Sequence, residues 1–143
     1  MTDTQRSSHE ARVEVHELPF ARSSNAAARA LLATFLDRQH LDTAVLMDAS
    51  IVLGELVANG LDHGRPDPHD GLEVSWRLDE GGLSLSVLDG GAETVPHVLT
   101  VDRYAPRGRG LAMVQKLATS WTVDTSGGTR VTAVLPLPQT GGS

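Results

Sequence analysis

Two pairs of short runs with strictly alternating apolar and polar residues, each pair split by a glycine-bearing turn, constrain this chain more than any other feature. The first pair is Leu72-Glu73-Val74-Ser75-Trp76-Arg77-Leu78 and Leu83-Ser84-Leu85-Ser86-Val87-Leu88, separated by Asp79-Glu80-Gly81-Gly82. The second is Trp121-Thr122-Val123-Asp124 and Thr129-Arg130-Val131-Thr132-Ala133-Val134-Leu135, around Ser126-Gly127-Gly128. A period of two puts all apolar side chains of a strand on one face, and a short glycine turn returns the chain antiparallel. A sheet with one apolar face must be covered by something else in the chain.

The cover is helical. Val13-Glu14-Val15-His16-Glu17-Leu18 reads as a further strand ended by Pro19, and Ser23-Ser24-Asn25 offers N-cap candidates before AAARALLATFLDRQ. After a turn at His40-Leu41-Asp42, a second helix is predicted from about 43 to 63, with Val45, Val52 and Leu56 on one buried face. GRPDPHDG, 64 to 71, is a loop, and 92 to 107, with Pro96 and Pro106, is a long loop without a period. A third helix is expected at about 109 to 118. The order β-α-α-β-β-loop-α-β-β predicts an α+β, two-layer sandwich: a mixed, mostly antiparallel sheet with helices on one face. Residues 12–136 form one domain in this reading, with tails at 1–11 and 137–143.

Composition removes whole classes of function. The 143 residues carry a formal charge of −6 with no run of Lys or Arg, and only 3% are aromatic. Neither a duplex-binding surface nor a base-stacking platform is expected, so no direct nucleic-acid partner is predicted. With no cysteine there are no disulfides, thiolate metal sites or cysteine nucleophiles. The N-terminus has no apolar signal core, and no run reaches the roughly 18 apolar residues of a membrane span. A cytoplasmic protein with no membrane partner is the expectation.

Three features bear on chemistry. Glu55 and Asn59 lie one helical turn apart on a stripe with Asp48, Ile51 and Asp62, beside the core stripe. They read either as solvated surface or as a Mg²⁺-ligating amide oxygen with a nearby carboxylate base. Gly60, next along, costs about 1 kcal/mol of helix propensity against alanine. Asp89-Gly90-Gly91 ends a strand, either as a plain turn or as a carboxylate aimed into a pocket where it accepts from an exocyclic amine. Pro106-Arg107-Gly108-Arg109-Gly110-Leu111 opens a helix, either as a flexible basic loop or as an anion site of backbone N–H groups and guanidinium.

Other chemistries fit less well. The Pro-rich loop between His63 and His69 argues against a rigid metal cluster with Asp62, Asp67 and Asp70. No GxxxxGK[ST], no G-x-G-x-x-G opening a βαβ unit and no G-x-S-x-G elbow is present.

In one order, ELVANGLDHG, VLDGG, GRGLAMV and GGTRVTAVLP resemble the GHKL (Bergerat-fold) ATPases, and the short chain is most similar to stand-alone anti-sigma-factor serine kinases of the RsbW/SpoIIAB type. The resemblance spans about residues 13 to 136. It implies that Glu55 is the catalytic base and Asn59 the Mg²⁺ ligand. It also implies ATP as cofactor, held by Asp89 and Gly91 at the adenine, Gly108, Arg109, Gly110 and Leu111 around the phosphates, and Thr129 beside Asp89. Residues 92 to 107 would be the lid. The implied partners are a sigma factor and a STAS-domain antagonist, with a homodimer as the assembly.

Two positions depart from the pattern: Glu93 replaces the second glycine of DxGxG, and Gly60 stands where relatives usually have alanine. Two functions follow from the resemblance, a protein-serine/threonine kinase acting on the antagonist or a non-catalytic nucleotide-sensing module.

Overall fold

The computed structural model describes residues 11–91 and 109–138. Strand β1 (Arg12–Pro19) leads to helices α1 (Ser23–Arg38) and α2 (Thr43–His63), then to the hairpin of β2 (Gly71–Asp79) and β3 (Gly82–Asp89). Helix α3 (Arg109–Leu117) precedes the second hairpin, β4 (Ser120–Asp124) and β5 (Thr129–Leu135). The five strands run in the order β1-β2-β3-β5-β4, with every neighbouring pair antiparallel. Among the described residues the sheet is therefore antiparallel rather than mixed.

The alternation sets the faces. Leu72, Val74 and Trp76 of β2, Leu83, Leu85 and Val87 of β3, and Val131, Ala133 and Leu135 of β5 are buried under the helices. Ser75, Ser84, Ser86 and Thr132 face the other way, and the Ser86 and Thr132 hydroxyls meet across the strands at 2.6 Å. Helix α2 lies on β3 and β5 and packs against both α1 and α3. Its buried face, Val45, Ala49, Val52, Leu53, Leu56 and Val57, forms the core with Ala28, Leu32, Phe35 and Leu36 of α1. Each fully buried Leu or Val contributes about 1.5–3 kcal/mol of transfer free energy.

By length and mean hydropathy alone α2, 21 residues at 1.5, could cross a membrane. Its apolar face instead closes the sheet, and Asp48, Glu55 and Asp62 lie along its other side.

The capping expected for α1 is corrected by the structure. The N-cap position is Arg22, with no side-chain cap bond, and Ser23, Ser24 and Asn25 fall inside the first turn. Ser24 Oγ donates to the Pro19 carbonyl at 2.5 Å, and Asn25 Nδ2 donates to the Gly54 carbonyl of α2 at 2.9 Å. These short polar side chains tie α1 to its neighbours instead of capping it.

At the far edge, fully buried Trp76 donates from Nε1 to Glu14 Oε1 at 3.1 Å. Arg38 at the end of α1 binds the other Glu14 oxygen, and His16 lies 3.1 Å from Oε1. Burial works against the Glu14 charge, but hydrogen bonds from His16, Trp76 and Arg38 outweigh it and hold the carboxyl below its ordinary range.

Candidate functional site

Asp89 is the last residue of β3 and points to the helix side of the sheet, as Leu83, Leu85 and Val87 do. It is 5% exposed, which is unusual for a carboxylate. Its Oδ1 accepts the Gly91 N–H at 2.6 Å, and Thr129 stands directly across from it in the β3–β5 register. Burial, joined by the negative charge of Asp67, pushes the Asp89 carboxyl up to about 6, against the pull of the Gly91 N–H. A buried oxygen acceptor of this kind suits a ligand amine that donates to it.

Glycines surround that carboxylate. A Cβ on Gly64, just past α2, would lie 2.2 Å from Asp89 Oδ2, so no side chain fits there while Asp89 keeps its place. Gly60, one turn earlier and buried, differs: a Cβ there would sit 3.4 Å from Oδ2, 3.6 Å from Val87 Cγ1 and 3.8 Å from Leu72 Cδ1, within ordinary contact. On the strand side Gly128 has φ 103°, and a Cβ would lie 2.3 Å from the Asp89 carbonyl oxygen. Gly90 N–H donates to the Arg65 carbonyl at 2.7 Å, which fastens the loop after α2 to the end of β3.

That loop is itself held by a carboxylate. Asp67, 9% exposed, accepts the backbone N–H groups of His69 at 2.8 Å and Gly71 at 2.9 Å. Burial opposes its charge, but the Gly71 N–H, the Glu17 carboxyl and the His69 N–H together hold it below its usual range. Glu17 on β1 is shifted the other way, raised by desolvation and by its hydrogen bond to Asp67.

Glu55 and Asn59 are both half-buried on the solvent-side stripe of α2. Glu55 lines an open groove of about 330 Å³ between α1 and α2, together with Asn25, Arg29, Ser50, Ile51, Gly54 and Ala58. Arg29 Nε donates to Asn25 Oδ1 at 2.9 Å within it. Asn59 precedes Gly60 and so belongs to the turn of α2 that receives Asp89. Among the described residues no group of three His, Asp or Glu side chains could hold a metal ion. A single amide oxygen fits Mg²⁺, which keeps waters and completes its shell with phosphate oxygens rather than a protein cage.

The structure thus brings Asp89, Gly91 and Thr129 together at the strand ends, against the α2 turn that follows Asn59. Glu55 lies one turn further back, at the α1–α2 groove. Gly108 and the loop 92–107, including Glu93, lie outside the described residues, as do the side chains of Arg109, Gly110 and Leu111. Arg109 begins α3, which packs on α2.

The sequence reading gave Gly64 and Gly128 no part in the site, because their partner Asp89 is distant in sequence and the only local signal was the density of glycine around it. Asp67, weighed there as a metal ligand, instead holds the loop through the His69 and Gly71 N–H groups.

An antiparallel sheet covered on one face by helices, with a buried strand-end carboxylate lodged against the end of the central helix, defines a two-layer α+β sandwich. A family model described as the histidine kinase-like ATPase domain matches residues 18–135, and the chain belongs to that family. Among solved structures it is similar to "The crystal structure of the RsbU and RsbW domains of Rv1364c from Mycobacterium tuberculosis", at 23% identity and a TM-score of 0.69. That match covers 90% of this chain and 33% of the other, so this chain spans about a third of that protein's length. At that identity the likeness speaks for the fold. No curated protein matches the sequence.

Proposed function

We propose that this domain is a Mg²⁺-ATP-binding anti-sigma factor that phosphorylates a serine or threonine of a STAS-type antagonist. The observation that carries the reading is the buried Asp89 carboxylate, with one oxygen on Gly91 N–H and Thr129 across the strand, in a chain of the histidine kinase-like ATPase family. A carboxylate so placed accepts from the 6-amino group of adenine and rejects a keto oxygen at that position.

In this reading Asn59 holds Mg²⁺, which supplies neutralising charge at the phosphates when bound. Gly108, Arg109, Gly110 and Leu111 at the start of α3 receive the phosphates on backbone N–H groups, and the Arg109 guanidinium offsets charge on the transferred group. Glu55 takes the proton from the substrate hydroxyl as its oxygen bonds to the γ-phosphorus and the bond to the β,γ-bridging oxygen breaks. Its position on the α1–α2 groove gives a protein substrate a route to it. A sigma factor as second partner, a homodimer and a cytoplasmic location belong to the same proposal.

Glu93, where the glycine-box pattern has glycine, favours a second reading, a module whose partner affinity changes with nucleotide and which transfers no phosphate. Incubation with γ-labelled ATP and a STAS-domain protein separates them. The kinase reading expects label on the STAS protein, lost with Glu55→Gln. Absence of label, with Mg²⁺-ATP binding abolished by Asn59→Ala, leaves the sensing module.

A further inference from the structure

The end of β3 is not held by the sheet alone. Past Asp89 the chain lies backbone on backbone against the loop that follows α2. Gly90 N–H donates to the Arg65 carbonyl at 2.7 Å, and a Cβ on Gly90 would fall 2.1 Å from the Pro66 carbonyl oxygen. Gly64, which opens the same loop, abuts the Asp89 carboxylate itself. Where residues 64–66 stand therefore bears on where Asp89 stands.

The next residue fixes them. Asp67 is 9% exposed, and its Oδ1 accepts the His69 N–H at 2.8 Å and the Gly71 N–H at 2.9 Å. Its own N–H donates to the Gly71 carbonyl at 2.8 Å, and its carbonyl accepts the Asp70 N–H at 2.8 Å. Asp70 has φ 66°, a left-handed backbone that an aspartate tolerates in a turn. The loop thus closes on the side chain and backbone of one residue.

An aspartate that only braced a turn would matter to stability alone. Asp67 also acts on Asp89. The charged groups on the segments around Asp89 are His63 at the end of α2, Arg65 and Asp67 in the loop, and Arg130 on β5. Among the described residues, it is the Asp67 charge that adds to burial in raising the Asp89 carboxyl.

We propose that Asp67 is a positioning residue of the nucleotide site, which clamps the 64–71 loop and thereby places the Asp89 carboxylate for the adenine amine. The inference rests on the reading of Asp89 as the adenine acceptor. Asparagine at position 67 keeps an oxygen for the two N–H groups and loses the charge, whereas alanine loses both.

The test is Mg²⁺-ATP calorimetry on the full chain between about pH 5 and pH 8, for wild type, Asp67→Ala and Asp67→Asn, with circular dichroism to establish folding. Near pH 7.5 Asp67→Ala is expected to bind about tenfold more weakly or worse, as a misplaced recognition group does, and Asp67→Asn within about threefold of wild type. Binding to Asp67→Asn persists to lower pH than binding to wild type, because Asp89 without that neighbouring charge ionises more readily. A merely structural brace would not move that midpoint. Wild-type affinity in folded Asp67→Ala overturns the inference, and so does an unmoved midpoint or a lost affinity in Asp67→Asn. If Asp67→Ala is unfolded, the Asp67→Asn titration decides. If wild type itself binds no ATP, the adenine reading fails and takes the inference with it.

Discussion

The carboxylate of Asp89 is seated against the backbone of Gly64, so closely that a Cβ there would fall 2.2 Å from Oδ2 and 2.4 Å from Cγ. All three nearest atoms at that position belong to Asp89, so the pair is coupled in a measurable way. Gly64→Ala is expected to lower unfolding stability in urea by about 1–3 kcal/mol, the usual range for overpacking. In an Asp89→Ala background most of that penalty disappears, giving a coupling energy of at least about 0.5 kcal/mol. Additive penalties contradict the seating.

The raised Asp89 value has a sign that fixes its effect on stability. Burial disfavours the ionised form in the folded state, so the folded group holds its proton up to about pH 6, above the ordinary aspartate range. Its contribution to stability is complete at pH below that range, declines as pH rises towards 6, and is flat beyond. Asp89→Asn removes this slope, and its melting temperature relative to wild type should rise between about pH 4 and pH 6. Nucleotide affinity has the opposite dependence: a protonated Asp89 is a poorer acceptor, and binding to wild type weakens as pH falls through about 6.

Two adjacent glycines separate backbone strain from mere sequence pattern. Gly128, with φ 103° and a Cβ position 2.3 Å from the Asp89 carbonyl oxygen, resists any side chain. Gly127 has nothing within 4 Å of its Cβ position. Gly128→Ala is expected to destabilise by about 1–3 kcal/mol. Gly127→Ala stays within about 0.5 kcal/mol of wild type. Equal thermal shifts for the two variants contradict this account of the β4–β5 turn.

Trp76 supplies the test at the opposite edge of the sheet. Replacing it with Phe keeps most of the apolar volume but removes the Nε1 donor to Glu14. The expected loss is about 1–3 kcal/mol in denaturant titration, since the bond ends on a charged acceptor and the smaller ring leaves a gap. Glu14→Gln, which weakens the Arg38 and His16 contacts as well, should flatten the loss of stability in acid, because the Glu14 charge contributes only above its depressed value.

The helices and strands were legible because each announces itself locally. The period-two runs at 72–78, 83–88 and 129–135 place the same side chains under the helices that the alternation selects, and Glu55 and Asn59 fall on the stripe that the helical period gives. What was not legible depends on pairing across the chain. Ser24 and Asn25 have the composition of caps, yet tertiary partners, the Pro19 and Gly54 carbonyls, claim them. The close approach of Gly64 and Gly128 to Asp89 joins three segments, and no window of sequence contains it. The contact between Glu17 and Asp67 links β1 to the loop after α2, and no single window of sequence contains both residues.

The central claim is that Asp89 and the adjoining turn of α2 form an adenine-nucleotide site, and Mg²⁺-ATP titration by calorimetry near pH 7.5 tests it most directly. The account predicts saturable binding by wild type that Asp89→Asn weakens at least about tenfold, since the amide presents one oxygen where the carboxylate presents two. It predicts that Asn59→Ala removes the Mg²⁺ dependence. Binding that both variants leave unchanged, or no binding of ATP or ADP by the wild-type chain, contradicts it.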